Sequence, residues 1–204
     1  MGLRTYIREH FLEDIRPYKP ASLTQPAQLL DAVSAWKGLE MIIGDIITRF
    51  GIGREKCIEF GVEFGYSAVV FSNFFERVTG VDTFEGDIHT NNKQEHFQQT
   101  RERLKPYGNI HLVKSDYRDW IVRDNQRYNF AHVDIVHNYK ETYECGLWAA
   151  RHSECVVFHD TESFPEVRKA VKDIARATGQ QLFNYPHHYG LGILVDTKSI
   201  AKRK

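Results

Sequence analysis

The chain has 204 residues, 42% hydrophobic and 26% charged, which suits one domain with its own core. Its 27 Lys and Arg are balanced by 27 Asp and Glu, so the basic excess that binds phosphate-rich partners is missing and a dedicated nucleic-acid binder is not expected. No apolar run approaches the ~18 residues of a membrane span, and the charged opening MGLRTYIREHFLEDIR lacks the apolar centre of a secretion signal.

Residues 1–16 predict an amphipathic helix ended by Pro17 and Pro20. Thr24 followed by Pro26 reads as a second helix start, a capping hydroxyl and then a first-turn proline. Leu39, Ile42, Ile43, Ile46, Ile47 and Phe50 recur at helical spacing, with Gly38 bending or dividing the stretch and Gly51 and Gly53 closing it. Residues 1–50 are therefore expected to cover a crevice or to form a subunit contact, which makes a homodimer an expectation.

From Lys56 the texture changes. Strands are predicted at 57–61, 77–82, 109–114, 128–134 and 154–160, with helices near 66–76, 91–105, 139–151 and 164–177. Such β-α alternation argues for a parallel sheet with helices on both faces. The runs 181–185 and 190–196 are separated by only Pro186-His187-His188-Tyr189, too few residues for a crossover helix, so the sheet should finish antiparallel. The organisation expected is an N-terminal helical segment (1–50), an α/β domain (51–197) and a basic tail (198–204). Two of the three cysteines, Cys57, Cys145 and Cys155, sit in apolar runs, and none has metal-site spacing. Buried thiols in a reducing, cytoplasmic setting follow from that.

The first predicted strand runs into Glu59-Phe60-Gly61-Val62-Glu63-Phe64-Gly65-Tyr66-Ser67. Gly61 and Gly65 permit a tight turn against a ligand, and Ser67 is placed to cap the next helix. About twenty residues on stands Asp82, the spacing of an acid that accepts hydrogen bonds from ribose hydroxyls. A nucleoside-containing cofactor is implied. A pyrophosphate needs a second glycine where this chain has Glu63, whose charge would oppose it, which disfavours NAD and FAD. S-adenosyl-L-methionine carries no phosphate and has a sulfonium and an ammonium, a charge pattern compatible with Glu59 and Glu63.

The segments EFGVEFGYS, GVDTFEGD, HVDIVHNYKE, VVFHD and YGLGILV, in this order, resemble class I S-adenosylmethionine-dependent methyltransferases, and among them the small methyltransferase family 24 group. The resemblance covers roughly residues 55–196. It implies a three-layer, doubly wound, Rossmann-like sheet of seven strands, mostly parallel, with an antiparallel final strand. It also implies a cofactor site. Glu59, Gly61 and Gly65, with Glu63, Tyr66 and Ser67, would form the methionine-binding loop. Asp82 and Thr83 would lie at the ribose, Phe84 against the adenine, Ser115 and Asp116 at its edge, and Asp134 beside the donor. Two departures stand out: the loop lacks its middle glycine, and Asp134-Ile135-Val136-His137 replaces the Asp-Gly-Asp-His of the group.

Asp134 and His137 follow one predicted strand, and His159 and Asp160 end the next. Methyl transfer is mainly alignment of donor and acceptor, but a hydroxyl acceptor must also lose a proton. His137 or His159 is the expected base, with Asp134 orienting it or taking the proton itself. A rival expectation is a divalent metal, Mg2+ or Mn2+, held by Asp134, His159 and Asp160. The expected acceptor is a small molecule with a hydroxyl group: a sugar, a glycan precursor or a secondary metabolite. No Asn/Asp-Pro-Pro-Tyr segment follows the fourth strand of the domain, as it does in enzymes that methylate amino groups of flipped bases. A binding module without turnover, motivated by the missing second acid, and an NAD-dependent oxidoreductase are the alternatives. Asp87 and His89 are candidates to close over the cofactor.

Overall fold

The computed structural model describes residues 15–86 and 94–202. Most of the helix expected over 1–16 lies outside these residues, as do Asp87 and His89; Arg16, at its end, is extended. Among the described residues eight strands form one sheet: β1 (Arg16–Pro17), β2 (Lys56–Phe60), β3 (Arg77–Asp82), β4 (Ile110–Lys114), β5 (Tyr128–Val133), β6 (Ser153–His159), β7 (Gln181–Tyr185) and β8 (Leu191–Val195). Their order is β1-β7-β8-β6-β5-β2-β3-β4. Every pairing is parallel except those of β8, which runs antiparallel between β6 and β7. This is the expected mixed sheet with a reversed last strand. The count is eight rather than seven, because Arg16 and Pro17 pair with Phe183 and Asn184 at the β7 edge. A two-residue edge strand carrying a proline leaves no alternating pattern to read.

The helices are α1 (Glu40–Phe50), α2 (Tyr66–Ser72), α3 (Phe97–Leu104), α4 (Tyr117–Arg123), α5 (Tyr139–His152), α6 (Pro165–Thr178) and α7 (Thr197–Ala201). On one face of the sheet Ile42, Ile43 and Ile46 of α1 are fully buried with Val70, Phe71, Val157 and Ile193. On the other, Cys145 and Ala149 of α5 and Ile174 of α6 pack on Ile58, Val156 and Leu194. The chain is therefore a three-layer sandwich in which central strands are apolar on both faces. All three cysteines are buried free thiols, and no helix among the described residues is long and apolar enough to cross a membrane.

One local expectation is corrected, and two helices were not anticipated. The second helix starts at Glu40, not near Thr24. Gly38 adopts φ +102, outside helical space, and the preceding segment runs irregularly, with Thr24 donating its N–H to the Met41 carbonyl. Helix α4 was not anticipated. Asp116 starts it, its side chain accepting from the Arg118 N–H at 2.7 Å. The expected tail opens with α7, capped by Asp196 and anchored by buried Ile200.

The chain passes from β2 to β3 on one side and returns to β5 on the other. The C-terminal ends of β2 and β5 therefore part the helical layers and open a crevice at this reversal.

Candidate active site

Immediately after β2, the backbone of Gly61 lies against that of Asp134, the residue following β5. Gly61 has φ +88, and a Cβ built there would stand 1.7 Å from the Asp134 carbonyl oxygen. Only glycine fits. The Gly61 N–H donates to Val81 O at 3.1 Å and the Asp134 N–H to Phe60 O at 2.9 Å, locking three strand ends together. Asp82, ending β3, then holds the turn. One carboxylate oxygen accepts from the N–H groups of Val62 and Glu63 at 2.7 and 2.9 Å, and the other from Phe84 at 2.7 Å. Glu63 stands at φ 51, a left-handed conformation that a side chain adopts only when its surroundings enforce it. Gly65, at φ 90, leads into α2.

Beneath this turn lies a buried polar chain. Glu59 and His132 are fully buried on neighbouring strands. Glu59 Oε1 accepts from the Ser67 hydroxyl and lies 2.9 Å from His132 Nδ1. The Trp36 indole N–H donates to His132 Nε2 at 3.1 Å. Glu59 Oε2 is buried without a hydrogen-bond partner among the described residues.

The crevice is a cleft of about 320 Å³. Of the residues singled out in the sequence, Gly61, Glu63, Tyr66, Ser67, Asp82, Thr83, Ser115, Asp116, Asp134, His137, His159 and Asp160 line it. Three do not. Glu59 lies below the floor, and the Gly65 backbone faces Leu104. Phe84 is enclosed by Val62, Ala68, Val69 and Leu104 rather than turned to the cleft. Ala32–Trp36, from the N-terminal segment expected at a crevice or a subunit contact, also line it, and Tyr117 and Arg118 from α4 and Glu141 from α5, which the sequence did not flag, complete the walls. Arg118 pairs with Glu141 at 2.7 Å, tying α4 to α5. No motif marked these positions, because they come together only through the fold.

At the far wall four side chains form a closed cluster. His137 Nε2 lies 3.3 Å from Asp134 Oδ1 and 3.0 Å from Asp160 Oδ2. His159 Nδ1 lies 3.2 Å from Asp134 Oδ2 and 3.1 Å from Asp160 Oδ2. Phe164 stacks on the His137 ring with centroids 4.3 Å apart. Asp160 sits at φ 64, directly after β6. Burial alone would push both imidazoles down. Hydrogen bonds to Asp134 and Asp160 and the charge of these carboxylates outweigh it for His137, whose pKa rises to about 9. For His159 the Asp134 charge and the same two carboxylate hydrogen bonds raise it to about 10. Burial would raise Asp134, but the His159 charge and hydrogen bonds from both histidines hold it well below the usual carboxylate range. Asp160 is likewise held low, against burial, by hydrogen bonds from both imidazoles. Carboxylate oxygens of Asp134 and Asp160 and a ring nitrogen of His137 also lie within 4.8 Å of one another, close enough to share a cation. His137 takes the place in this set that was expected for His159.

Comparison with known proteins bears on this geometry. No curated protein matches the sequence. Several solved structures share the fold. The O-methyltransferase of Bacillus cereus, solved with SAH, aligns over 94% of this chain and 96% of its own at a TM-score of 0.56 and 11% identity. The O-methyltransferase NovP aligns over 73% and 74% at 0.59 and 11%. The fibrillarin pre-rRNA processing protein of Methanococcus jannaschii aligns over 70% and 66% at 0.50 and 12%. Identities this low show the architecture, not the acceptor. A methyltransferase-domain family model, that of methyltransferase family 24, matches residues 58–161, from β2 to just past β6 and over half the chain. The chain therefore belongs to methyltransferase family 24, among the class I S-adenosylmethionine-dependent methyltransferases.

Proposed function

We propose that this protein transfers a methyl group from S-adenosylmethionine to a hydroxyl oxygen of a small, uncharged or cationic acceptor. The observation that carries the reading is the His137–His159–Asp134–Asp160 cluster, placed in the same cleft as the glycine turn. When bound, the donor supplies a methyl on a sulfonium: the C–O bond forms as the C–S bond breaks, with its electron pair left on sulfur. The turn suits such a donor. Glu63 lines the cleft where a diphosphate would have to lie, and Glu59 Oε2 is a buried acceptor in want of a donor. In this reading Glu59, Gly61, Glu63, Gly65, Tyr66 and Ser67 shape the methionine end, Asp82 and Thr83 the ribose, and Ser115 and Asp116 the adenine edge. Phe84 supports that wall from within the core.

The acceptor hydroxyl delivers its proton to the cluster. With both imidazoles raised to about 9 and 10, each holds a proton at neutral pH, so His137 or His159 becomes the base only as the pH climbs. Asp134 is ionised throughout and holds both rings in place. His159 Nε2, buried and without a hydrogen-bond partner among the described residues, is the ring atom that an acceptor would satisfy.

The walls favour small acceptors. Among the described residues, Glu63, Asp82, Asp116, Asp134, Glu141 and Asp160 line the cleft against one arginine, Arg118, and no lysine. Such a field repels a phosphate backbone, which supports a sugar, glycan precursor or secondary metabolite over RNA. A divalent cation at Asp134, His137 and Asp160 is a second reading, supported by their donor spacing. Mg2+ or Mn2+ there would lower the pKa of an acceptor hydroxyl. The buried thiols support a reducing, cytoplasmic setting. Trp36, Leu39 and Ile43, whose apolar character suggested a homodimer, are buried against the protein's own sheet, so a homodimer would have to use another surface.

Calorimetry with S-adenosylhomocysteine followed by labelled-methyl transfer to a panel of hydroxylated acceptors tests the reading. Asp134→Asn should cut turnover by about a hundredfold or more while leaving donor affinity within about twofold. Heat with NADH and none with S-adenosylhomocysteine would overturn it. Tight donor binding with no turnover on any acceptor would instead mark a binding module. Loss of activity on chelation, restored by Mg2+ or Mn2+, would select the cation reading.

A further inference from the structure

The buried chain Trp36–His132–Glu59–Ser67 joins elements that the family motifs do not connect. Ser67 and Trp36 line the cleft, whereas Glu59 and His132 lie beneath it with no accessible surface. An indole N–H can only donate, so His132 Nε2 accepts from Trp36 and the single ring N–H sits on Nδ1, where it donates to Glu59 Oε1. That oxygen also accepts from Ser67. Both protein donors thus converge on Oε1, while Oε2 is left bare among the described residues. A buried carboxylate kept only for structure would have both oxygens satisfied.

Geometry outside the polar chain fixes it further. The Trp36 ring packs edge-on against Phe71 at 5.3 Å and His132 at 4.9 Å between centroids. Just beyond it, Gly38 lies against the imidazole of His188, close enough that a Cβ would stand 2.0 Å from His188 Cε1. The N-terminal segment is therefore wedged between the β7–β8 turn and the cleft floor, with Trp36 as its polar anchor.

We propose that Trp36 and His132 are positioning residues for the methionine end of the donor. The Trp36 N–H fixes the His132 tautomer. His132 and Ser67 together turn Glu59 so that Oε2 is the free acceptor below the loop, ready for an ammonium group directly or through one water. Without the indole N–H, the proton of His132 is free to move to Nε2. Nδ1 then presents a lone pair to Glu59, the contact becomes repulsive, and Glu59 turns. By this account residues 32–36, outside the family match, belong to the donor site. The inference rests on the donor proposed above.

Two ligands separate this role from a merely structural one. S-adenosylhomocysteine carries the amino-acid end, and 5′-methylthioadenosine lacks it. Trp36→Phe keeps an aromatic ring against Phe71 while removing the N–H together with part of the indole. Calorimetry on the full chain should show about tenfold weaker S-adenosylhomocysteine binding to Trp36→Phe, with 5′-methylthioadenosine affinity unchanged. His132→Gln should do the same, and the double variant should be no worse than the weaker single variant, since both act through one link. An equal loss for the two ligands, or none for either, overturns the inference. If His132→Gln does not fold, Trp36→Phe decides alone. Failure of the wild-type protein to bind S-adenosylhomocysteine would instead sink the donor assignment.

Discussion

Asp82 shows how one side chain acquires two duties. Its carboxylate accepts from three backbone N–H groups, those of Val62, Glu63 and Phe84, and so shapes the turn that it was expected only to face across a ribose. Asp82→Ala leaves all three N–H groups without their acceptor. Donor affinity should fall by at least about tenfold, with a drop in melting temperature, because buried amides lose their partners. Unchanged S-adenosylhomocysteine affinity would remove Asp82 from the site. Gly61 carries a sharper expectation. Alanine there needs φ +88 and a Cβ inside the Asp134 carbonyl, so the strand ends must separate. Gly61→Ala should cost at least about 3 kcal/mol in chemical denaturation. The sequence announced Gly61 and Asp82 through the spacing of the turn. It could not announce Trp36 or His132, because a lone aromatic and a strand histidine carry no local pattern. Their meaning arises only where a residue distant in sequence supplies the partner.

Elements with strong periodicity were legible, and those defined by tertiary contact were not. The apolar runs of β2, β3, β5 and β6 stood out because both faces of a central parallel strand are buried. Helix α4 did not. Its sequence YRDWIVR shows little helical patterning and starts by a single Asp116 cap. The stretch from Thr24 carried a helix-start signal that went unused: the segment runs irregularly up to Glu40, and only its Ala32–Trp36 part reaches the cleft. Helix α5 starts at Tyr139, as its pattern predicts. The cap is Asn138, whose side chain accepts from the Glu141 N–H at 2.9 Å, which leaves His137 free to turn toward Asp134 and Asp160. Asn138→Ala should cost about 1 kcal/mol of stability, read by urea titration. It should also lower turnover more than donor affinity, since it loosens the entry to α5 beside His137 and leaves the glycine turn untouched. Equal losses of both would place the effect in global stability rather than at this junction.

Across the whole molecule, the His–Asp cluster ties the ends of β5 and β6 together and links stability to pH with a definite sign. His137 and His159 have folded-state values of about 9 and 10, above the unfolded 6.5. Their contribution is complete below about pH 6.5 and is lost as the pH rises through 9 and 10. Asp134 and Asp160 are depressed, so their contribution is present above the unfolded value of 3.8 and is lost as the pH falls below it. Stability from this cluster should therefore plateau between roughly pH 4 and 6.5 and decline toward pH 10. Activity should run the other way. A neutral imidazole is needed to take the acceptor's proton, so turnover should climb across the window in which the cluster stops stabilising the fold. Measured together, melting temperature and turnover should cross between pH 7 and 10, within the interval set by the folded values of the two histidines. His137→Asn should flatten part of both curves. A turnover profile already flat from pH 6 upward would overturn an imidazole as the base; Asp134, ionised across this range but held low and therefore a weak base, would then orient the acceptor rather than titrate.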